Sequence, residues 1–169
     1  NICDNWLSTS YAILYYLQSL FINKSRFNFG MSSFLNGTGF MVKKETIDRY
    51  GYDPKTITED IEYTAICAIN GIKIAFNENA ITYDEQVTDF KSSLKQRKRW
   101  SFGAIQCLKN YTGSLIKEGI KNKRFECFDV IIFYFGIIFH VLFTIVSLIG
   151  IFYNVFYLND FNSMDVVIY

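Results

Sequence analysis

Thirty consecutive residues, Val130 to Asn159, contain no Asp, Glu, Lys or Arg. About 20 apolar residues are enough for a helix to cross a bilayer core of roughly 30 Å, so this stretch predicts a transmembrane helix over Phe133 to Phe152. A buried core helix is the competing reading. Lys117, Lys121, Lys123 and Arg124 precede the run and Asp160 and Asp165 follow it. Cationic flanks stay on the cytoplasmic side of a membrane, which places the upstream portion in the cytoplasm. His140 lies inside the run, where a neutral imidazole paired with a neighbouring helix is expected, and Gly136 and Gly150 would allow close helix approach. A second apolar run, Trp6 to Ile22, is interrupted by Ser8, Thr9, Ser10, Gln18 and Ser19. Its continuous part, Tyr11 to Leu17, is short for a span and reads as an amphipathic or interfacial helix, with a short spanning helix as the alternative.

Half of the residues are apolar and 18% are aromatic, more than a soluble core needs. A net charge of +1 does not point to a nucleic-acid partner, so local clusters must carry any electrostatic argument. The four cysteines, Cys3, Cys67, Cys107 and Cys127, are scattered and accompany a single histidine. Neither a zinc site nor a disulfide scaffold is indicated, and they read as small core hydrophobes. The start, Asn1 with Asp4 and Trp6 close behind and no initiating Met, lacks the basic opening of a signal peptide and reads as a cut within a longer protein.

The middle of the chain has the punctuation of an α/β fold. Phe34 to Val42 reads as a loop entering a strand, Lys44 to Tyr50 as a helix ended by Gly51, and Thr56 and Glu59 stand at capping-box spacing before a second helix closed by Asn70-Gly71. Ile72 to Phe76 and Ala80 to Tyr83 read as two short strands joined by a polar turn, and a further helix is expected from about Asp89 to Leu108.

Three clusters could carry chemistry. Thr58, Glu59 and Asp60 stand at a predicted helix start, where carboxylates gain about 0.3–1 kcal/mol from the helix dipole whatever their function, but where a general base could also meet a hydroxyl. Lys91, Lys95, Arg97, Lys98 and Arg99 share one helix with Trp100. That is either a basic interfacial surface for anionic lipid or, with Gln96 and Arg99 three apart on one face, a seat for a phosphate or diphosphate. Trp100 would add an aromatic wall suited to the C–H face of a sugar. Asn36-Gly37-Thr38-Gly39 permits close backbone approach to a ligand, or simply a sharp turn.

In their order and spacing, Asn-Gly-Thr-Gly-Phe at 36 to 40, Thr-Glu-Asp at 58 to 60 and Gln-x-x-Arg-Trp at 96 to 100, followed by a long membrane helix, resemble family 2 glycosyltransferases of the processive type, the group of cellulose, chitin and poly-N-acetylglucosamine synthases. The resemblance implies the C-terminal part of a GT-A fold, a Rossmann-like nucleotide-sugar-binding sheet facing the cytoplasm, followed by a transmembrane helix. The implied division is an acceptor-side catalytic part with interfacial helices at 1–126, a membrane helix at 127–158 and the start of the next segment at 159–169. By the same resemblance Asp60 is the catalytic base of an inverting transfer, positioned by Glu59 and Thr58. Gln96 and Arg99 bind the nucleotide diphosphate, Trp100 stacks on the acceptor, and Asn36, Gly37, Thr38 and Gly39 form the loop beside it. The implied donor is a UDP-sugar, with UDP-N-acetylglucosamine favoured over UDP-glucose, and the implied acceptor a growing β-linked polysaccharide. The implied location is a multi-pass protein of the cell membrane with its catalytic part cytoplasmic. Transfer to a lipid acceptor, or a non-catalytic membrane protein whose basic helix binds lipid or a partner, are the alternatives.

Two departures accompany the resemblance. Family members carry, upstream, an Asp for the nucleobase and a D-x-D motif for Mg²⁺ or Mn²⁺, whereas this chain contains no D-x-D, so the metal ligands are expected in a preceding segment. Glu85-Gln86-Val87 also stands where the family often has Glu-x-Pro.

Overall fold

The fold is that of a computed structural model, which describes residues 4–158. Among these residues there are six α-helices and no β-strand: α1 Trp6–Leu17, α2 Ser25–Asn28, α3 Lys44–Tyr50, α4 Glu59–Asn70, α5 Phe90–Asn122 and α6 Phe125–Tyr153. A π-helical stretch, Gln18–Lys24, joins α1 to α2, and another, Asn154–Leu158, ends α6.

The expected α/β architecture is therefore wrong. Ile72 to Phe76, Ala80 to Tyr83 and the segment after Phe34 carry β-prone residues, but they adopt no regular secondary structure and form no ladder. Ser33 N–H donates to the Ile74 carbonyl at 3.0 Å and Ile74 N–H to Ser32 Oγ at 3.0 Å, and the pairing goes no further. Ile81 and Tyr83 are 70% and 95% exposed, so no apolar face fixes a register. Sheet membership is a property of the partner as much as of the strand, and these short segments do not pair far enough to hold one another.

The helix signals fare better. Asn5 caps α1 by accepting from the N–H groups of Leu7 and Ser8, both at 3.0 Å. Gly51 and Gly71, at φ +75° and +68°, end α3 and α4. Asp89 caps α5 by accepting from Ser92 N–H at 2.8 Å, and that helix runs on past Leu108 to Asn122 because the intervening residues hold no proline. The expected capping box of Thr56 and Glu59 does not form. Thr58 is the N-cap and makes no side-chain cap bond, while the Thr56 hydroxyl donates to the Thr58 carbonyl at 3.2 Å.

The core lies between α4, α5 and α6, where Ile61, Ala65, Ala68, Cys107, Leu115, Cys127, Val130 and Tyr134 are buried together. Lys123, at φ +53°, turns α5 back into α6. The two helices touch so closely that a Cβ on Gly119 would stand 2.8 Å from the Phe128 ring. Cys67, Cys107 and Cys127 are free and buried, as expected of core hydrophobes; Cys3 lies outside the described residues. Arg124 donates to the Ile69 carbonyl, satisfying the end of α4.

Helix α6 has two halves. Cys127, Val130 and Tyr134 are buried in the core, and the Tyr134 hydroxyl donates to the Ile61 carbonyl at 3.0 Å. Beyond them Phe139, Val146 and Ile149 are 70%, 66% and 63% exposed. The helix Phe125–Phe156, which contains an 18-residue stretch of mean hydropathy 2.5, is long and apolar enough to cross a membrane. Of the flanking charges, Asp160 and Asp165 lie outside the described residues. In α1, Leu7, Ser8 and Tyr11 are buried, while Ile13, Tyr16 and Leu17 leave an apolar outer face exposed.

Candidate active site

Asp60 stands in the first turn of α4, and one loop is laid directly onto it. Its Oδ2 accepts from Gly37 N–H at 2.7 Å and its Oδ1 from Ile61 N–H at 2.8 Å. The loop is held to α4 at both ends: Leu35 N–H donates to Thr64 Oγ1 at 3.1 Å, and the Phe40 ring stacks on Tyr63 at 6.4 Å. Between them Asn36 to Gly39 form a tight turn, closed by Gly39 N–H on the Asn36 carbonyl at 3.2 Å. A Cβ on Gly37 would stand 3.3 Å from Asp60 Oδ2, so the missing side chain is what lets the backbone reach the carboxylate. Thr38 lies within the same turn, half-buried. Burial pushes the Asp60 carboxyl above its ordinary range. The bonds from Ile61 and Gly37 oppose this and the charge of Glu59 adds to it. A carboxylate with a raised pKa is a stronger proton acceptor.

Thr58 is buried, and its side chain fills the space over Gly103 of α5. A Cβ on Gly103 would overlap Thr58 Oγ1 and stand 2.8 Å from Thr58 Cβ. Ile57 N–H donates to Gln106 Oε1 at 3.1 Å, and Thr56 Oγ1 lies 3.5 Å from Cys107 Sγ. Gly103, Gln106 and Cys107, three and four residues apart, thus form the face of α5 that seats the segment before Asp60.

Glu62, fully buried, fixes the same segment from behind. Its carboxylate accepts from the N–H groups of Lys55 and Thr56 at 2.8 and 2.7 Å and from the Tyr111 hydroxyl. Burial pushes this carboxyl up, but the bonds from Tyr111, Lys55 and Thr56 outweigh it and hold the pKa below its ordinary value. Glu62→Ala should remove the acceptor of three part-buried hydrogen bonds, at about 0.5–1.5 kcal/mol each, and lower the thermal midpoint of the complete protein. Because the folded pKa is depressed, the stabilisation from Glu62 is present above the unfolded carboxylate pKa of about 4.3 and lost as pH falls through the folded value. The acid-induced loss of protease resistance should accordingly be shallower in the alanine variant.

Gln96 and Arg99 line an open groove of about 610 Å³, together with Ser92, Lys95, Lys98, Phe102, Ile57 and Val87. The Oε1 of Gln96 is buried without a hydrogen-bond partner. Among the described residues none of Lys95, Lys98 and Arg99 forms an ion pair. Gln96, Arg99, Gly103 and Gln106 follow one another at three- and four-residue steps, so the groove and the seat of the Thr56 to Thr58 segment lie along one stripe of α5.

Trp100 does not line the groove. It packs toward α1, edge-on to Tyr11 and Tyr15 with ring centroids 6.1 and 6.4 Å away. The Tyr11 hydroxyl is bonded to Ser93 Oγ at 2.9 Å, and Arg97 lies 5.2 Å over the Tyr11 ring. The structure thus joins Asn36 to Gly39 with Asp60, and Gln96 with Arg99. Among the described residues no hydrogen bond or ion pair links Asp60 to either of the latter. No group of three His, Cys, Asp or Glu side chains among the described residues could hold a metal ion; the Mg²⁺ or Mn²⁺ that the resemblance implies has no fitting seat there. Sequence reasoning passed over Glu62, Gly103, Gln106 and Tyr111. Their only trace was the helical spacing of the small residues Gly103 and Cys107.

The probable glycosyltransferase YdaM of Bacillus subtilis (strain 168) is 30% identical to the chain over 109 residues, which make up 60% of this chain and 26% of that relative. No solved structure matches the chain. The model of the glycosyl transferase family group 2 matches residues 2–159. With the Asp60 loop contact and the groove beside Arg99 both inside that span, the chain belongs to glycosyl transferase family group 2.

Proposed function

We propose that this chain is the acceptor and base side of a membrane-anchored inverting glycosyltransferase, which moves a sugar from a UDP-sugar to the end of a β-linked polysaccharide. In the reaction, an acceptor hydroxyl oxygen attacks the anomeric carbon, Asp60 takes the proton, and the bond from that carbon to the diphosphate breaks with its electron pair leaving on the nucleotide. The observation that carries the reading is the Asp60 carboxylate, its pKa raised by burial, lying at a helix start against a glycine turn. Glu59 and Thr58 position it. The cationic groove supports a diphosphate seat for the leaving group, with Arg99 as the planar fork and Gln96 beside it. N-acetylglucosamine is the favoured sugar over glucose. The exposed half of α6 lies in lipid, and the basic flank of the helix keeps the catalytic part cytoplasmic.

The test is turnover of UDP-N-acetylglucosamine and UDP-glucose by the complete protein in membrane vesicles, with Arg99→Ala alongside. Loss of a charged hydrogen bond of about 1.5–3 kcal/mol should raise the KM for the nucleotide-sugar by about 10- to 100-fold. No transfer from either donor, or an unchanged nucleotide-sugar KM in the variant with weaker binding to anionic vesicles, would overturn the reading in favour of a basic lipid-binding helix.

A further inference from the structure

Between Ser33 and Gly37 the chain joins no ladder, and its amides are taken up singly. Ser33 N–H donates to the Ile74 carbonyl, Phe34 N–H to Asn23 Oδ1 at 3.0 Å, Leu35 N–H to Thr64 Oγ1 at 3.1 Å and Gly37 N–H to Asp60 Oδ2 at 2.7 Å. The last two acceptors, Thr64 and Asp60, stand four apart on one face of α4. The Thr64 hydroxyl also donates to the Asp60 carbonyl at 2.9 Å. A threonine inside a helix commonly bonds the carbonyl four residues back, and that bond by itself would carry no role. Here the same oxygen accepts from a second chain segment, and the side chain is 3% exposed. Asp60 is thus tied to the turn twice, directly through its carboxylate at Gly37 and through Thr64 from its carbonyl at Leu35. Two residues of chain span at most about 7 Å, so Leu35 and Gly37 cannot move independently.

We infer that Thr64 is a positioning residue for the proposed base: its hydroxyl holds Leu35 against the Asp60 backbone and so keeps the Gly37 N–H on the Asp60 carboxylate. This deepens the glycosyltransferase reading and rests on it. Thr64 touches no reacting atom and acts only through the turn. Without its hydroxyl, Leu35 N–H loses its acceptor, the turn lifts, and Asp60 Oδ2 is no longer aimed by Gly37. Burial pushes the Asp60 pKa up and the Gly37 bond opposes it, so losing that bond lets the pKa climb further. Glu59, in the same turn, is the titratable neighbour that also raises it. The phenols of Tyr52 and Tyr15, on which the Asp60 charge acts, are pushed up by burial and stay neutral across an acid limb. All three remain in Thr64 variants, and a limb that moves therefore reports the lost bond.

The experiment follows transfer from UDP-N-acetylglucosamine and UDP-glucose by the complete protein in membrane vesicles as a function of pH. Thr64→Val keeps the shape and removes the hydroxyl, and Thr64→Ala removes it with a residue that favours helix. Both should lower kcat about 5- to 50-fold through loss of aim, keep the nucleotide-sugar KM within about twofold, and move the acid limb of kcat/KM to higher pH. Thr64→Ser, which retains the hydroxyl, should return the limb to its wild-type position. An acid limb that stays in place in both hydroxyl-free variants overturns the inference, because a merely loosened helix lowers the rate without moving it. So does a Thr64→Ser limb displaced as far as that of Thr64→Val. Asp60→Asn separates the two levels: transfer at the wild-type rate there removes the glycosyltransferase reading itself, whereas lost transfer there with unmoved limbs in the Thr64 variants removes only the role given to Thr64.

Discussion

Asp60→Asn in the complete protein is expected to lower kcat for sugar transfer by about 10²- to 10⁴-fold, the range that a positioned general base contributes. Nucleotide-sugar binding should persist, because the groove with Arg99 is lined by α5 together with Ile57 and Val87, and by no residue of α4. The size of the side chain is kept, so the loss reports the missing proton acceptor. Asparagine has one carbonyl oxygen where aspartate has two, and Asp60 uses both, on Gly37 N–H and Ile61 N–H. One of those donors must lose its acceptor, and a modest stability loss of about 1–3 kcal/mol accompanies the catalytic one. The wild-type pH profile provides a second check. Burial raises the Asp60 pKa, so the acid limb of kcat/KM should lie above the ordinary aspartate value of about 3.9. Activity should fall as pH drops through that raised pKa. A limb at or below the ordinary value would remove Asp60 from the role of base.

Gly103→Ala should be almost as damaging, although the methyl group it adds reaches the start of α4 only through Thr58. The new Cβ overlaps Thr58 Oγ1 and stands 2.8 Å from Thr58 Cβ, closer than real atoms approach. Helix α5 cannot give way easily, because Gln106 and Cys107 engage the same segment one turn on. Overpacking of this kind costs about 1–3 kcal/mol. Its relief by a shift of Thr58 moves the start of α4, and a displacement of about 1 Å at a reacting group is enough for a 10²-fold loss of rate. Gly113→Ala is the control within the same helix. A Cβ there meets nothing within 4 Å, and alanine is the better helix former by about 1 kcal/mol, so that variant should be neutral or more stable. Thr58→Ala combined with Gly103→Ala should recover part of the stability, because the two side chains compete for one space. Equal thermal midpoints and rates for Gly103→Ala and Gly113→Ala would refute the proposed contact.

What the sequence disclosed follows from the range over which each signal acts. Helix ends are local: Gly51 and Gly71 adopt positive φ where a side chain would be strained, and Asp89 reaches only to Ser92. The length and apolarity of α6 are likewise carried by its own residues. The pairing of Gln96 with Arg99 follows from three-residue spacing, and both do line one groove. The strands failed because a ladder needs a partner that residues 72 to 83 do not contain. The position of Trp100 was also beyond a one-dimensional reading: the residue after Arg99 is turned about 100° round the helix, and its face is decided by the tyrosines of α1. Glu62 looked like one more acid at a helix start, and only the tertiary fold supplies Tyr111 and the Lys55 and Thr56 amides that make it a clamp.

The two halves of α6 set a mechanical relation. The Tyr134 hydroxyl bonds the carbonyl of Ile61, the residue next to Asp60, and from Phe135 to Phe156 none of the residues is buried. No flexible linker intervenes, and a helix advances a fixed 1.5 Å or so per residue. On the membrane-anchored reading proposed above, with the exposed half in lipid, Asp60 would keep a constant altitude above the bilayer. The membrane would serve as a levelling plane, and any tilt or thinning that moves α6 would pass to the carboxylate as a rigid displacement.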